Sequence, residues 1–265
     1  MTTTPQVRRI EIDGRPATAE TLLHPATVNT GHFTAMQIRG GKVRGIGLHL
    51  ARLDAATREL FGQELDGDHV RGLIRHVLRD DITEASVRVH VHAPDGTPSL
   101  LITVRAPTEL PAALADRAQA LRSVPYQRPF AHIKHLGGFA QARHTELVRR
   151  AGFDEALLTG PGGEISEGAV TNIAFFDGTE IVWPSAPHLS GITMQLLEPR
   201  LPAAGLPTRH APVTLTDLPS YAAAFVVNSW GVSPVRRIDD RAYDIDDALM
   251  EKVAGIYAGV PWDTI

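Results

Sequence analysis

The spacing of apolar positions changes repeatedly along the chain, and each change predicts an element. RRIEI (8–12) alternates and runs into Asp13-Gly14, which predicts a strand entering a tight hairpin. Phe33 to Arg39, then Gly40-Gly41, then KVRGI predicts a second hairpin. Between His49 and Phe61, Leu50, Leu53, Leu60 and Phe61 recur with a helical period, and Val70 to Leu78 continues in helix. Ala85 to His92 and Leu100 to Arg105 read as strands joined by the turn-forming PDGTPS.

Residues 106–122 are alanine-rich and carry two prolines, and the prolines of VPYQRPF oppose helix. A domain boundary is therefore expected there, with a small N-terminal α/β domain over 1–118, a linker over 119–128 and a larger domain over 129–265. In the second part, Phe139 to Ala151 reads as helix. Glu155 to Leu158 and Glu164 to Ser166 flank TGPGG as a hairpin, and Ile173 to Phe176 and Ile181 to Trp183 flank DGTE as another. A helix is expected over 191–201, an apolar strand over 222–228 and a last helix over 245–257. Hairpins and helices intermixed, without a sustained βαβ rhythm, give a fold class of α/β (mixed α+β).

Composition narrows the classes. At 265 residues the chain fits one large or two modest domains, with 43% hydrophobic and 21% charged residues. The net charge of −4 is dispersed, and no basic block suggests nucleic acid. Cysteine is absent, which excludes disulfides and thiolate zinc sites. MTTTPQVRRIEIDG lacks the apolar centre of a signal peptide, and no apolar run approaches the ~18 residues of a membrane span. A soluble, cytoplasmic protein is expected.

Charge usage then singles out one position. The 26 basic residues include only three lysines, at 42, 134 and 252. Lys134 sits in FAHIKHLGG, after an extended-looking run. Burial and neighbouring cations favour the amine form that a Schiff base needs; the alternative is a surface lysine at a strand edge. His132 shares its predicted strand face and His135 the opposite one, to tune the lysine or simply to pack. Glu167 in GGEISEGAVTN is either a ligand-facing carboxylate beside small residues or a solvated hairpin glutamate. LSGITMQLL begins a helix whose free amides suit an anion, or holds an ordinary cap. FVVNSWG ends an apolar strand in small polar groups, an anion contact or a plain turn. Arg52 in HLARL suits phosphate or a surface ion pair. Arg88, His90 and His92 share one strand face; the histidines could bind metal, but the arginine beside them favours anion recognition or a half-buried polar surface, and no metal site is expected.

The order of these pieces is more specific than any one of them. HLARL, an isolated lysine, E-x-S-E-G-A-x-x-N, S-G-I-T and N-S-x-G-V-x-P-V follow one another from about Gly31 to Val235. This series resembles the class IV aminotransferase family, the fold-type-IV pyridoxal-phosphate enzymes. They include branched-chain and D-amino-acid aminotransferases, amine transaminases and 4-amino-4-deoxychorismate lyase. The resemblance implies a two-domain D-amino-acid-aminotransferase-like fold, a small α/β domain followed by a pseudo-barrel, with the cofactor between them near a homodimer interface. It implies that Lys134 holds pyridoxal 5′-phosphate as an internal aldimine and that Glu167 pairs with the pyridine nitrogen. Arg52, the amides of Ile192 and Thr193, and Asn228 and Ser229 would contact the phosphate or the substrate carboxylate. Asn172 matches a structural asparagine.

The chain departs from the family pattern where substrate would be read. Phe33-Thr34 replaces an aromatic-Glu pair, Phe139 replaces a tyrosine of the branched-chain enzymes, and Met194 replaces the arginine of G-I-T-R. Phe33, Arg39, Arg88 and Trp230 are the candidate substrate contacts. The implied activity is transamination between an amino acid or amine and a 2-keto acid. A lyase releasing pyruvate and a non-catalytic binding protein on the same scaffold are the alternatives.

Overall fold

The computed structural model describes residues 6–79 and 81–265. Residues 1–5, the start of the segment expected not to be a signal peptide, lie outside the described residues. The chain separates into two units that the sequence interleaves: Met1–Glu109, Ile133–Gly137 and Pro261–Ile265 form one, and Leu110–His132 with Gly138–Val260 form the other.

The first unit contains β1 (Val7–Ile12), β2 (Arg15–Pro16), α1 (Leu23–Thr27), β3 (His32–Ile38), β4 (Lys42–Val43), α2 (Ile46–Phe61), α3 (Gly67–Leu78), β5 (Ala85–His92) and β6 (Ser99–Arg105). Five of its strands form an antiparallel sheet in the order β2-β1-β6-β5-β3. Alternation sets its two faces. Met36, Ile38, Val87, Val89, Val91, Ile102 and Val104 lie in one apolar cluster with Leu53 of α2 and Val70, Ile74 and Val77 of α3. The opposite face of the sheet therefore carries Phe33, Arg88, His90 and Arg105. Asp66 caps α3 by accepting from the Asp68 amide at 2.9 Å.

The second unit contains β7 (Gln119–Pro125), α4 (Phe139–Arg150), β8 (Glu155–Thr159), β9 (Ile165–Gly168), β10 (Asn172–Phe176), β11 (Ile181–Pro184), α5 (Ile192–Leu197), β12 (Thr208–Ala211), β13 (Ala223–Asn228), β14 (Gly231–Ile238), β15 (Arg241–Ala242) and α6 (Asp247–Ala258). Its strands run in the order β12-β11-β10-β13-β14-β7-β8-β9, with β15 added to β14. The sheet curls back on itself: just beyond β12, the Val213 carbonyl accepts from the Ile165 amide of β9 at 2.7 Å. Leu157, Ile165, Ile173, Phe175, Val226 and Val235 form one cluster with Val213 and Tyr221. The alternate residues Trp183, Phe225 and Val227 cluster instead with Met194 and Leu197 of α5 and with Leu249 and Val253 of α6. On β8, Ala156 and Leu158 meet Val148 of α4.

A last short strand, β16 (Asp263–Thr264), returns to the first unit and pairs antiparallel with β4. The Asp263 carboxylate accepts the Ile46 amide at 2.9 Å, at the start of α2. Arg75 of α3 donates to the Ile265 carbonyl at 3.1 Å.

Most of the expected elements are present within a few residues of their expected ends. The expected linker 119–128 instead contains β7, an inner strand paired in parallel with both β14 and β8. Its alanine and proline hide a strand whose stability comes from two neighbours. β7, α4 and β8 thus form one βαβ crossover. β14 was also hidden, because Pro234 interrupts it; that residue sits opposite Phe225. The helix expected over 191–201 ends at Leu197. Among the described residues, no helix is long and apolar enough to cross a membrane.

Candidate functional site

Lys134 does not lie in a strand. Pro129 and Phe130, the latter with φ 48°, turn the chain before it. The segment after that turn lies along the start of β3. The Phe33 amide donates to the Lys134 carbonyl at 2.9 Å, the Leu136 amide donates to the Gly31 carbonyl at 3.0 Å, and His135 pairs with His32. The Lys134 ammonium nitrogen stands 5.1 Å from the centre of the Phe33 ring. His132 and His135 thus flank the lysine in an irregular segment rather than on two faces of a strand.

Arg52 enters from α2, where a one-turn step from His49 places both over β3. Its guanidinium donates to the Thr34 hydroxyl, and Thr34 Oγ1 lies 2.6 Å from His49 Nδ1. A hydroxyl offers one donor and two acceptor sites, so Thr34 can accept from Arg52 and still bond His49 in either direction. Burial first, then the Arg52 charge, holds His49 well below its usual pKa. Burial alone lowers Arg52 to about 10, and its Nε is buried without a hydrogen-bond partner among the described residues. This is a desolvated cation whose hydrogen bonds are incomplete, a donor set that suits an anion. His32 bonds Thr57 at 3.0 Å, and burial lowers it to about 4.

On the other sheet face, the Phe33 ring stacks on His90 at 5.4 Å, and the Arg88 guanidinium carbon is 5.7 Å from the same ring. Burial, then Arg88, lowers His90 to about 4; burial, then Arg105, lowers Arg88. His90 and His92 stack 6.4 Å apart, but among the described residues no three side chains gather as a metal-ligating group. Arg39 is held elsewhere: it donates to the Ile38 and Thr108 carbonyls at 2.8 and 2.9 Å and lies 3.5 Å from Glu84.

In the second unit, Glu167 ends up buried on β9. Its Oε1 accepts from Arg128 at 2.8 Å and its Oε2 from the Leu189 amide at 3.2 Å. Burial raises the Glu167 pKa, while Arg128 pulls it down. Asn172 of β10 donates to the Leu189 carbonyl at 2.7 Å, and a Cβ on Gly191 would fall 2.0 Å from the Asn172 oxygen. Glycine is therefore needed where the loop meets Asn172 before α5. The first amides of α5, Ile192 and Thr193, have no acceptor within the helix. Thr193 donates to the Asn228 carbonyl at 2.6 Å, joining α5 to the end of β13. Asn228 Oδ1 accepts from the Trp230 amide at 2.8 Å, which shapes the turn containing Ser229. Trp230 is 48% exposed. Asn228 and Trp230 line a cavity with Thr171, Gln119 and Ser233. Phe139 is 82% exposed, whereas Met194 is buried against Leu197 and Trp183.

Sequence reasoning missed Arg128 and Glu155 as parts of this framework, and read Thr34 only as a departure from the family pattern, without its bond to Arg52. Glu155 is buried at the start of β8 and accepts from the Val170 amide at 2.7 Å and the Thr171 hydroxyl at 3.1 Å, fixing the loop between β9 and β10. Desolvation raises it to about 7. The available signal was a lone carboxylate heading the apolar run EALL.

Among curated proteins, no sequence matches. Solved structures do match in fold. A branched-chain aminotransferase from Thermoproteus uzoniensis, solved with norvaline, is 18% identical, with 96% of this chain and 94% of that one covered and a TM-score of 0.83. A hypothetical aminotransferase from Mycobacterium tuberculosis, in a PLP-bound form, is 17% identical over 96% and 98%, with a TM-score of 0.82. A Legionella pneumophila protein described as a 4-amino-4-deoxychorismate lyase is 18% identical over 88% and 92%, with a TM-score of 0.79. The two-unit architecture and the curled sheet are those of fold-type-IV enzymes. The model for amino-transferase class IV matches residues 31–238, most of the chain and all of the residues just described, and on that match the chain belongs to the class IV aminotransferase family.

Proposed function

We propose that this protein is a pyridoxal 5′-phosphate-dependent aminotransferase that moves an amino group between an amino acid or amine and a 2-keto acid. The observation that carries the reading is Arg52, a buried guanidinium with an unpartnered Nε, in a chain whose Lys134 lies against the same strand, β3. A phosphate would supply the missing acceptor. When bound, the cofactor supplies an electron sink for charge developing on the substrate α-carbon.

The chain's own groups then have separate tasks. Lys134 would hold the cofactor through its amine, and that amine would serve as base and acid for the proton at the substrate α-carbon. Glu167 would hold the ring nitrogen. Arg52, the Ile192 and Thr193 amides, Asn228 and Ser229 would hold the phosphate and so fix the reacting geometry. Arg88, beside Phe33 and His90, receives the substrate carboxylate; Arg39, already engaged with two carbonyls, contributes to the strand end instead. Trp230 forms part of the substrate wall. The protein works in the cytoplasm as a homodimer.

The test is a visible spectrum of the purified protein with added pyridoxal phosphate, followed by assays. A band that is absent from Lys134→Ala supports the reading, and a protein that gains none refutes it. Amino donors with keto acids, set against aminodeoxychorismate, then separate transamination from release of pyruvate. The oligomer is checked by sedimentation.

A further inference from the structure

Arg128 and Glu167 form an ion pair at 2.8 Å, with side-chain exposures of 5% and 6%. Such a pair is costly to desolvate, and it persists only where both partners complete their hydrogen bonds. Glu167 receives one bond on each oxygen, from Arg128 and from the Leu189 amide. A carboxylate oxygen can accept two bonds, so both keep capacity toward a further donor. Arg128 also donates to the Ala131 carbonyl at 3.1 Å, across the turn that leads into the Lys134 segment.

We infer that Arg128 is a positioning residue for the cofactor. It holds Glu167 ionised and fixed in rotation, and it fixes the turn through which the chain reaches Lys134. The inference rests on the reading that Glu167 meets the ring nitrogen. Burial alone would favour the protonated carboxyl, which could not serve as the anionic partner of a protonated ring nitrogen. His188, from the loop that supplies the Leu189 amide, also favours the ionised form of Glu167, and Glu155, from β8, opposes it. Arg128 is the cation in direct contact.

The test compares Arg128→Gln, Arg128→Lys, Glu167→Gln and the double variant R128Q/E167Q. The readouts are pyridoxal phosphate affinity, the pH profile of the visible band and the melting temperature. Arg128→Gln should weaken affinity about tenfold or more, the worth of a charge-assisted hydrogen bond. Its pH profile should move toward that of Glu167→Gln, and the double variant should add little to Glu167→Gln. Arg128→Lys keeps the carboxylate paired but replaces a two-pronged donor by a point charge, so its profile should lie between wild type and Arg128→Gln. If Arg128→Gln does not fold, Arg128→Lys decides: a profile identical to wild type overturns the inference. So does wild-type behaviour of Arg128→Gln, or full additivity in the double variant. If Glu167→Gln itself leaves affinity and profile unchanged, the reading of Glu167 fails first, and the inference falls with it.

Discussion

Phe33 meets Lys134 in two ways: its amide donates to the Lys134 carbonyl at 2.9 Å, and its ring centre lies 5.1 Å from the ammonium. The backbone bond fixes where the side chain starts, whatever that side chain is. Lys134→Arg should therefore fold and melt like the wild type, because a guanidinium also sits well over an aromatic ring. It should give no visible band with pyridoxal phosphate, since a guanidinium forms no Schiff base. A lowered melting temperature would show that Lys134 is structural.

Thr34 accepts from Arg52 through a neutral hydroxyl, at the position where the resemblance implies a glutamate. Thr34→Val removes that acceptor and should weaken pyridoxal phosphate binding by roughly fivefold to tenfold, about 1 kcal/mol for a hydrogen bond. Arg52→Gln should weaken it much further. Neither variant should change the affinity for pyridoxal, which lacks the phosphate. Equal losses with both ligands would place Arg52 elsewhere in the mechanism.

Glu155 should make the protein less stable as pH rises. Its pKa is raised from 4.5 to about 7 by burial, so between those values the folded state holds a proton that the unfolded state has released. Stability from this group is complete below about pH 4.5 and falls until about pH 7, by an amount on the order of 3 kcal/mol. Glu155→Gln should flatten that slope in urea titrations at pH 5, 6 and 8. A slope unchanged in the variant would show that other groups set it.

His49 acts in the opposite direction. It is buried and neutral, with a pKa well below 6.5. Below about pH 6.5 the unfolded chain gains a proton that the folded one cannot take, so stability is lost as pH falls. His49→Gln should be less stable at pH 8 but should lose less on going to pH 5. An acid slope as steep as that of the wild type would remove His49 from the account.

The sequence disclosed what depends on local pattern and on rare residue types. Alternation and turn residues located β5, β6, β8, β10 and β13, and the rarity of lysine singled out Lys134 as a candidate site or a strand-edge residue. It did not disclose β7 or β14, whose alanine and proline are tolerated because neighbouring strands supply the missing preference. It placed Lys134 in a strand because alternation in FAHIKH looks extended, although a proline and a left-handed Phe130 turn the chain there. The contacts of Arg128 and Thr34 were unreadable for a different reason. An arginine and a threonine are common surface residues, and only burial beside Glu167 and Arg52 gives them a task.

The pairing of β16 with β4 also has a bearing on synthesis. Asp263 accepts the Ile46 amide across 217 positions of sequence, so the first helix to carry a phosphate-binding candidate waits for its cap until residue 263 has joined the fold. Contacts that distant slow folding, because a long loop must close before they form. The emerging N-terminal sheet would stand in the meantime with β4 unpaired and the amide at the head of α2 bare. The helix that carries Arg52 would then be fixed at its start only when β16 docks.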